Sequence, residues 1–410
     1  MNRREVKRAP VLRFKGFTND WEQRKLKNLV DFYSGLTYHP ENIREKGTFV
    51  IRSSNIKDGQ LVTGDNIFVA PEIVNSTYVK KDDIIVVVRN GSRKLIGKHT
   101  KLNFNLNNAV IGAFMTGIRS NNNNFINAIF DSDNFKREIH KNLGATINQI
   151  TTGELKRMNF YIPSLTSEQN YLGNLMKVLD KLITLQQRKN ILLYKLRKSL
   201  LSTLLTDKCT PKVRFKSFLE PLKKQKLGDM APLRGGFAFK ANNYVNTGIP
   251  IIRISNILSN GSIGGNFAYY SEQSDDSNYI LFNGSALIAM SGATTGKTAI
   301  LDLEKKKKVY QNQRVGYFTP TKNSDYSFIK AIIKSNYFLK QLNSIMVAGA
   351  QPNVSAVDID NFTFYFPESK KEQKYIGNNF EIINKIILLQ KNRVDKLKKL
   401  KRSLLQQLFI

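Results

Sequence analysis

An internal repeat of about 200 residues is the feature that most constrains how this chain can fold. Residues 13–17 (RFKGF) reappear as residues 214–218 (RFKSF), at an offset of 201. Residues 51–56 match residues 252–257 at the same offset. Ordered matches at one offset indicate a duplicated structural unit, so the chain is predicted to fold as two similar halves. The total length of 410 residues agrees with two or three domains.

Each half of the repeat is predicted to contain an α/β domain followed by a long helix. Short β-type runs separated by Gly and Asn turns indicate the domains, and proline-free segments with helical apolar spacing indicate the helices. The predicted fold class is therefore α+β, with two tandem α/β domains. The predicted division is an N-terminal extension (1–12), a first domain (13–165), a central helix (166–206), a linker (207–213), a second domain (214–369) and a C-terminal helix (370–410).

The two long helices are predicted to pair as an antiparallel coiled coil with pseudo-two-fold symmetry. Apolar residues step by four and three at matched positions 204 residues apart, and a Gln occupies the same step in both copies. A helix of about 40 residues extends about 60 Å, which is long for one small domain to cover. An amphipathic helix that packs on its own domain is the alternative. The predicted pairing residues are Leu172, Met176, Leu179, Ile183, Gln186, Ile376, Phe380, Ile383, Ile387 and Gln390.

The charge of the chain indicates a polyanionic partner. Lys and Arg number 64 against 32 Asp and Glu, a formal charge of +32. Nucleic acid is the favoured partner, because basic side chains neutralise phosphates and release counterions. Two alternatives are an AT-rich genome that fills the surface with Lys, and an anionic membrane surface. With no signal peptide and no apolar run of 18 residues, a cytoplasmic protein without a membrane span is expected.

The sequence offers little sign of catalytic or metal chemistry. One cysteine and three scattered histidines argue against a disulfide framework or a zinc site. Residues 291–298 end in Gly-Lys-Thr, but three residues separate the glycines where a phosphate-binding loop needs four, and the first copy has five. A surface loop is therefore predicted there. No two prolines are adjacent, which excludes the Pro-Pro loop of amino-methyltransferases. We predict no catalytic residues and no metal site.

Side chains able to read base edges are concentrated in the matched loops. Arg and Lys pair with guanine, and Asn and Gln with adenine. Two pairs of residues present in both copies, Arg52/Arg253 and Asn55/Asn256, are expected to support the fold or contact phosphates. Residues that differ, such as Arg93-Lys94 against Thr294-Thr295, are expected to set specificity. A solvated loop residue or a turn cap is the alternative for each. The candidate DNA contacts are Arg52, Ser54, Asn55, Arg89, Ser92, Arg93, Lys94, Asn107, Asn108, Arg253, Ser255, Asn256, Ser291, Thr294, Thr295, Lys297, Gln311, Asn312, Gln313 and Arg314.

The order of these features resembles a known family. A repeated α/β domain and helix, the paired RFKGF and RFKSF openings, the loop at 292–297, and the Tyr-Ile-Pro…Glu-Gln segment at 161–169 are similar to the specificity subunit of type I restriction–modification enzymes. The resemblance implies two target-recognition domains. Each domain would read one half of a split site in double-stranded DNA, and the helices would set the spacer.

The resemblance also implies partners. Two methyltransferase subunits would dock on this non-catalytic chain, and motor and nuclease subunits would complete the restriction complex. S-adenosylmethionine, ATP and Mg²⁺ would belong to those partners. The expected docking residues, for which packing within the helix pair is the alternative, are Leu192, Tyr194, Leu201, Ile386 and Leu405. Rival functions are a DNA methyltransferase or nuclease with degenerate motifs, alone or with a partner, and a non-specific architectural DNA binder.

Overall fold

The computed structural model describes residues 9–144, 148–211, 213–303, 308–347 and 353–410, so most of the predicted N-terminal extension lies outside the described residues. The chain folds into two units. The first unit comprises Met1–Gln187 and Asn392–Ile410, and the second comprises Arg188–Lys391. Each long helix therefore contributes residues to both units.

The elements of the first half alternate short strands with short helices before one long helix. They are β1 (Glu22–Lys25), β2 (Asp31–Ser34), β3 (Ile43–Arg44), β4 (Thr48–Ile51), β5 (Ile56–Lys57), β6 (Gln60–Leu61), β7 (Ile67–Val69), β8 (Ile84–Val87), β9 (His99–Lys101), β10 (Ala109–Ile111), β11 (Met115–Arg119), α1 (Asn123–Asp131), α2 (Asp133–Asn142), α3 (Thr152–Arg157), β12 (Asn159–Ile162) and α4 (Thr166–Leu204).

The second half follows a similar order, with ten strands in its described residues where the first half has twelve. Its elements are β13 (Lys223–Lys226), α5 (Leu227–Met230), β14 (Leu233–Arg234), β15 (Ile249–Ile252), β16 (Ala268–Tyr270), β17 (Ile280–Leu281), β18 (Ala286–Ala289), β19 (Thr298–Ile300), β20 (Val309–Gln311), β21 (Val315–Phe318), α6 (Tyr326–Ile332), α7 (Asn336–Val347), α8 (Ala356–Asp360), β22 (Thr363–Phe366) and α9 (Lys370–Leu408).

Two four-stranded sheets form the first domain. One has the antiparallel order β2-β11-β8-β9, and the other the order β10-β4-β7-β3, in which β10 and β4 are parallel. The apolar run of β8 is buried on both faces. Ile84 and Val86 pack with the helices, whereas Ile85 and Val87 pack with the second sheet. Side chains alternate between the faces of a strand, so an uninterrupted apolar run is what this central position requires.

The second domain also has two four-stranded sheets. The antiparallel sheet repeats that of the first domain, whereas the mixed sheet carries β17 beside β20 where the first domain has β3 beside β7. Its sheets have the orders β14-β21-β18-β19 and β16-β15-β20-β17, and β15 and β20 are parallel. Strand β18 divides its side chains as β8 does. Ala286 and Ile288 face the helices, and Leu287 and Ala289 face the other sheet. The duplication read from the sequence therefore extends to the role of the central strand.

Each long helix begins against its own domain. A two-stranded ribbon, β1 with β12 or β13 with β22, leads the chain into the helix. Gly173 of α4 then lies so close to α1 that an added Cβ would be 2.6 Å from the backbone nitrogen of Phe125. Gly377 of α9 makes the same approach to the backbone nitrogen of Phe328 in α6, also at 2.6 Å. The absence of a side chain at these positions permits the close docking.

The long helices α4 and α9 pack together within each unit. In the first unit, Leu172 and Met176 near the start of α4 share an apolar cluster with Leu408 near the end of α9. In the second unit, Leu204 near the end of α4 packs in a cluster with Ile376 near the start of α9. The beginning of each long helix therefore packs near the end of the other, so the two helices are antiparallel. The predicted packing of the two long helices is confirmed.

The residues chosen for the pairing seam lie on the inner side of the helices. Those that are buried are Leu172, Met176, Leu179, Ile183, Ile376, Phe380, Ile387 and Gln390, while Gln186 and Ile383 are half-buried. Several of them also contact their own domain: Leu172 and Met176 pack in the cluster that includes Phe125 of α1. The long helices therefore pack both on each other and on their own domains, which combines the two predicted alternatives. Within the described residues, none of the helices combines the length and apolar character that a membrane span requires.

Candidate nucleic-acid interface

Three connections come together at one end of the sheets of the first domain. We call them loop cluster 1: residues 52–56 after β4, residues 88–98 between β8 and β9, and residues 112–114 between β10 and β11. The amide of Gly112 donates to the carbonyl of Ile51 at 2.9 Å, and Val88 donates to the carbonyl of Phe114 at 3.0 Å. The Nδ2 atom of Asn90 donates to Oγ of Ser53 at 2.9 Å. These contacts join all three connections into one surface.

The second domain brings the equivalent connections together as loop cluster 2, residues 253–257, 290–297 and 312–314. Its backbone contacts repeat those of the first domain. The amide of Asn312 donates to the carbonyl of Ile252 at 3.1 Å, and Met290 donates to the carbonyl of Arg314 at 3.0 Å. The hydroxyl of Thr294 donates to the carbonyl of Ile254 at 3.1 Å.

Most of the candidate DNA contacts lie in these two clusters with at least part of the side chain accessible. In loop cluster 1 they are Arg52, Ser54, Arg89, Ser92, Arg93 and Lys94, and in loop cluster 2 they are Arg253, Ser255, Ser291, Thr294, Thr295, Lys297, Asn312, Gln313 and Arg314. Segments far apart in the sequence thus form one candidate surface in each domain.

Asn55 and Asn256 support the fold, one of the two roles expected of residues common to both copies, and their inclusion among the DNA contacts is wrong. Each is only 1% exposed. The Oδ1 atom of Asn55 accepts a hydrogen bond from the amide of Arg52, and that of Asn256 accepts from Arg253, both at 3.0 Å. These bonds close the short 3-10 turns Ser53–Asn55 and Ile254–Asn256. The two asparagines are therefore part of the internal hydrogen bonding that shapes the first connection of each cluster.

Gln311 is also corrected from a DNA contact to a core residue. It is 0% exposed. Its Nε2 atom donates to the carbonyls of Arg234 at 2.8 Å and Val315 at 2.7 Å, and its Oε1 accepts from the guanidinium of Arg234 at 3.2 Å. All of its hydrogen-bonding capacity is directed inward, which leaves none for a base edge.

Asn107 and Asn108 lie away from loop cluster 1. The Oδ1 atom of Asn108 accepts from the hydroxyl of Thr48 at 2.7 Å, and its Nδ2 donates to the carbonyl of Gly47 at 3.2 Å. Thr48 is the first residue of β4, whereas Arg52 follows the last one. The pair is therefore at the opposite end of the strands, and its assignment to the same DNA surface is wrong.

Arg52 and Arg253 are tied to their own domains. The Nη2 atom of Arg52 donates to the carbonyl of Asp65 at 2.9 Å and forms an ion pair with its carboxylate at 2.7 Å. The Nη2 atom of Arg253 donates to the carbonyl of Asn266 at 3.0 Å. The expectation that arginines common to both copies support the fold agrees with these bonds.

Backbone hydrogen bonds define which residues of the second connections correspond. The amide of Gly97 donates to Val87 at 2.9 Å, and that of Gly296 donates to Ala289 at 2.8 Å. The 3-10 turns that precede these glycines, Arg93–Leu95 and Gly292–Thr294, are therefore equivalent. Gly97 and Gly296 are both in the left-handed region, with φ of 82°.

This correspondence changes the pairing of candidate specificity residues. Arg93 and Lys94 correspond to Gly292 and Ala293, so their pairing with Thr294 and Thr295 is wrong. The chain takes four residues from Val88 to Ser92 in the first domain and one residue from Met290 to Ser291 in the second. The extra length of the first copy is therefore a three-residue insertion, 89–91, that comes before the turn.

The loop with the Gly-Lys-Thr ending forms a tight turn against α7. A Cβ added to Gly296 would lie 2.6 Å from Cδ2 of Leu342, so the turn packs on that helix. Among the described residues, no group of three or more His, Cys, Asp or Glu side chains is placed to hold a metal ion.

A half-buried ion network connects the first domain to both long helices within the first unit. Nζ of Lys401 in α9 lies 2.7 Å from Oδ2 of Asp131 and 2.5 Å from Oδ1 of Asp180 in α4. His99 Nε2 lies 3.2 Å from the other oxygen of Asp131. Burial alone would raise the pKa of Asp131, but the hydrogen bond from His99 and the charges of His99 and Lys401 lower it to about 2. Burial raises the pKa of Asp180.

The predicted docking residues on the helices divide into two groups. Leu192, Tyr194 and Ile386 are exposed. Leu405 is buried in the first unit's apolar cluster, so it is unavailable to a partner and its assignment is wrong. Leu201 is half-buried and packs against the cluster of the second unit. Other exposed apolar residues, which the sequence reading missed, extend the outer faces. Within the second unit they include Ile191, Leu196, Ile382, Leu388 and Leu389.

Comparison with known proteins decides the family. A model described as the type I restriction modification DNA specificity domain matches the chain twice, over residues 18–194 and 220–399. The chain belongs to this family. It is a DNA specificity subunit of a restriction–modification system, as the resemblance in its sequence implied.

Relatives and a solved structure agree with this membership. The specificity subunit of the type I restriction enzyme EcoKI from Escherichia coli (strain K12) is 24% identical over 381 residues, covering 87% of this specificity subunit and 80% of the relative. The StySPI specificity subunit from Salmonella potsdam is 22% identical over 423 residues, covering 95% and 88%. The crystal structure of the type I restriction–modification S subunit from M. genitalium has a TM-score of 0.67 at 16% identity, covering 98% of this chain and 99% of that one. The predicted fold, with two tandem specificity domains, is confirmed.

Proposed function

We propose that loop cluster 1 and loop cluster 2 each read one half of a bipartite site in double-stranded DNA. The observation that carries this proposal is the contrast between backbone and side chains. The same hydrogen bonds build both clusters, from Gly112 and Asn312 and from Gly97 and Gly296, while the side chains they present differ. A common scaffold with different accessible side chains is what two readers of different half-sites require.

The chemistry of the accessible side chains supports base reading. Arg89 and Arg93 in loop cluster 1 and Arg314 in loop cluster 2 are exposed. An arginine can donate two hydrogen bonds to O6 and N7 of guanine in the major groove. Gln313, also exposed, can pair with adenine. The charge of +32 supplies the sequence-independent attraction to phosphates that holds the protein on the duplex.

We propose that this subunit recognises DNA without catalysing a reaction. Its partners would be two methyltransferase subunits and the motor and nuclease subunits of a type I enzyme. S-adenosylmethionine, ATP and Mg²⁺ would be bound by those partners. The relatives support this proposal because their descriptions present them as specificity subunits of restriction enzymes. The exposed apolar residues of the helices, such as Leu192 and Ile386, would form the docking surface for methyltransferase subunits.

The decisive experiment is methylome sequencing of cells that carry the complete system, with and without this chain. We expect a methylated bipartite motif that disappears on deletion and returns when the chain is supplied again. Methylation that is unchanged by deletion would overturn the proposal. Purified chain that methylates or cuts DNA alone would favour an enzyme. Equal affinity for all duplexes at moderate salt would favour a non-specific binder.

A further inference from the structure

An exposed aromatic ring stands on loop cluster 1. Phe114 is 52% exposed at the tip of the connection between β10 and β11. The guanidinium carbon of Arg89 lies 5.0 Å from the centre of its ring. The sequence repeat does not predict a role for this phenylalanine, and it is not one of the polar side chains expected to contact bases.

The backbone beneath Phe114 is held firmly in place. Its carbonyl accepts hydrogen bonds from the amides of Val88 at 3.0 Å and Arg89 at 3.2 Å. On either side, Ala113 donates to Leu36 and Met115 donates to Gly112, both at 2.9 Å. The ring is therefore presented from a fixed support, and a side chain that is half exposed contributes little to packing. About half of the side chain is therefore free to make an external contact.

The ring also orders the arginine beside it. A guanidinium over an aromatic face is attracted by the ring quadrupole, and the planar group stacks well on it. Stacking limits the rotamers available to Arg89 and therefore reduces the entropy that this long side chain loses when it binds a base. Phe114 and Arg89 thus form one preorganised pair.

The second domain lacks this pair. The position of Phe114, whose carbonyl accepts from Val88, is taken by Arg314, whose carbonyl accepts from Met290. Arg89 belongs to the insertion 89–91, which has no counterpart in loop cluster 2. Each cluster therefore has an arginine in or next to its third connection, but the two come from different loops. Among the described residues, the arginine–aromatic contact is found in loop cluster 1 and not in loop cluster 2. A difference of this kind is expected of residues that make the two domains recognise half-sites of different sequence.

We propose that Phe114 determines specificity in the first half-site by contacting the C5-methyl group of a thymine, while Arg89 donates to O6 and N7 of a neighbouring guanine. The inference rests on the proposed function. Among the base-edge groups of the major groove, the thymine methyl is the apolar one, and phenylalanine is a side chain suited to it. The guanidinium lies over the face of the ring, 5.0 Å from its centre, so the two bases they contact belong to adjacent base pairs.

The test removes a single methyl group from the DNA. Once the methylated motif is known, duplexes are made in which each thymine of the half-site is replaced in turn by deoxyuridine. Binding is measured for the full chain purified with the methyltransferase of its own system. We expect one of these replacements to weaken binding about fourfold, which is the effect of losing one buried methyl group. Phe114→Ala should weaken binding to the unmodified duplex by a similar factor and abolish the sensitivity to that replacement.

Phe104→Ala is the matched control. Phe104 is 51% exposed, close to the exposure of Phe114. It follows β9, whose last residue pairs with Ile84 at the start of β8, so it lies at the opposite end of that strand from loop cluster 1. We expect this variant to bind as the wild type does and to keep its sensitivity to deoxyuridine.

Three results would overturn the inference: a first half-site that contains no thymine, no effect of deoxyuridine at any of its thymines, or a Phe114→Ala variant that keeps the wild-type sensitivity. All three leave the proposed function standing, because the wild-type complex would still select the bipartite motif over other duplexes. Failure of the proposed function is a different result, namely wild-type binding that does not distinguish the motif.

Discussion

The guanidinium of Arg13 donates two hydrogen bonds to the carboxylate of Glu168, Nε to Oε1 at 2.7 Å and Nη2 to Oε2 at 2.8 Å. Glu168, near the start of α4, is only 1% exposed. Arg214 makes the same two bonds, at 2.7 and 2.8 Å, to Glu372 near the start of α9. The first residue of each repeated motif therefore fastens the beginning of its half to the long helix that ends it.

We expect Arg13→Lys to lower the free energy of unfolding by about 1–3 kcal/mol. Lysine keeps the charge but cannot reproduce the paired geometry of the guanidinium, which leaves one oxygen of the buried Glu168 without its donor. Urea denaturation followed by circular dichroism measures the change. Lys15→Ala, an exposed site two residues away, is the control and should alter stability by less than about 0.5 kcal/mol. Equal stability of the Arg13 variant and the wild type would contradict the anchoring role.

The ion network of the first unit predicts opposite effects for its two carboxylates. The pKa of Asp131 is about 2 in the folded chain, below its ordinary value of 3.8. Its ionised form therefore stabilises the fold above about pH 4, and this contribution is lost as the pH falls towards 2. The pKa of Asp180 is raised, chiefly by burial, so its ionised form opposes folding above its ordinary pKa.

Asp131→Asn should therefore destabilise the protein at pH 7, and its stability should fall less between pH 4 and pH 2 than that of the wild type. Asp180→Asn should cost less at pH 7 than Asp131→Asn, because it removes a buried charge and leaves Lys401 paired with Asp131. Urea midpoints measured from pH 2 to pH 7 give both comparisons. If Asp180→Asn were the more damaging variant, this account of the network would be wrong.

Local patterns in the sequence were sufficient to predict the long helices and the central strands. The helical spacing of Leu172, Met176 and Leu179 predicts an amphipathic helix, and the apolar run that contains Ile84 predicts a strand. These features depend on near neighbours in the chain. The duplication strengthened them, because each pattern occurs twice.

Local patterns did not predict whether an individual polar side chain is buried or accessible, or where it lies on the domain. Gln311 is an ordinary candidate for base reading until its partners, Arg234 and Val315, are known. Asn108 is separated from loop cluster 1 by the length of β4, which follows from strand pairing. The position of the insertion 89–91 depends on hydrogen-bond register, because the first glycines of the two loops, Gly91 and Gly292, are not equivalent. Such facts depend on contacts between distant segments.

Gly173→Ala should destabilise the protein even though alanine favours helices by about 1 kcal/mol over glycine. The new Cβ would lie 2.6 Å from the backbone nitrogen of Phe125, so α4 and α1 would have to separate, and overpacking of this kind costs about 1–3 kcal/mol. Thermal unfolding measures the net effect. Ser199→Ala, at an exposed position of the same helix, should leave the melting temperature unchanged or raise it slightly. A stabilised Gly173 variant would show that the helix contact is loose.

Changing Arg93 to Gly and Lys94 to Ala, the residues at the corresponding turn of the second domain, should alter base preference in one half-site only. The two side chains are exposed on loop cluster 1 and have no equivalent side chains in loop cluster 2. Methylome sequencing of the variant system shows the preference at every position of the motif. Thr294→Ala with Thr295→Ala changes other accessible residues, those of loop cluster 2, and should affect the other half-site. Weaker methylation of all motifs with unchanged preference would reassign these residues to phosphate contact.

Lengthening both long helices should lengthen the spacer of the recognised motif and leave the half-sites unchanged. A seven-residue insertion between Gln187 and Arg188 in α4, matched by one between Lys391 and Asn392 in α9, falls where each helix passes from one unit to the other. A heptad preserves the apolar seam, and seven helical residues add about 10 Å, or about three base pairs. The same insertion in α4 alone disrupts its packing against α9 and should lower stability. If the doubly extended subunit still directs methylation to the original spacer, the helices do not set the separation of the half-sites.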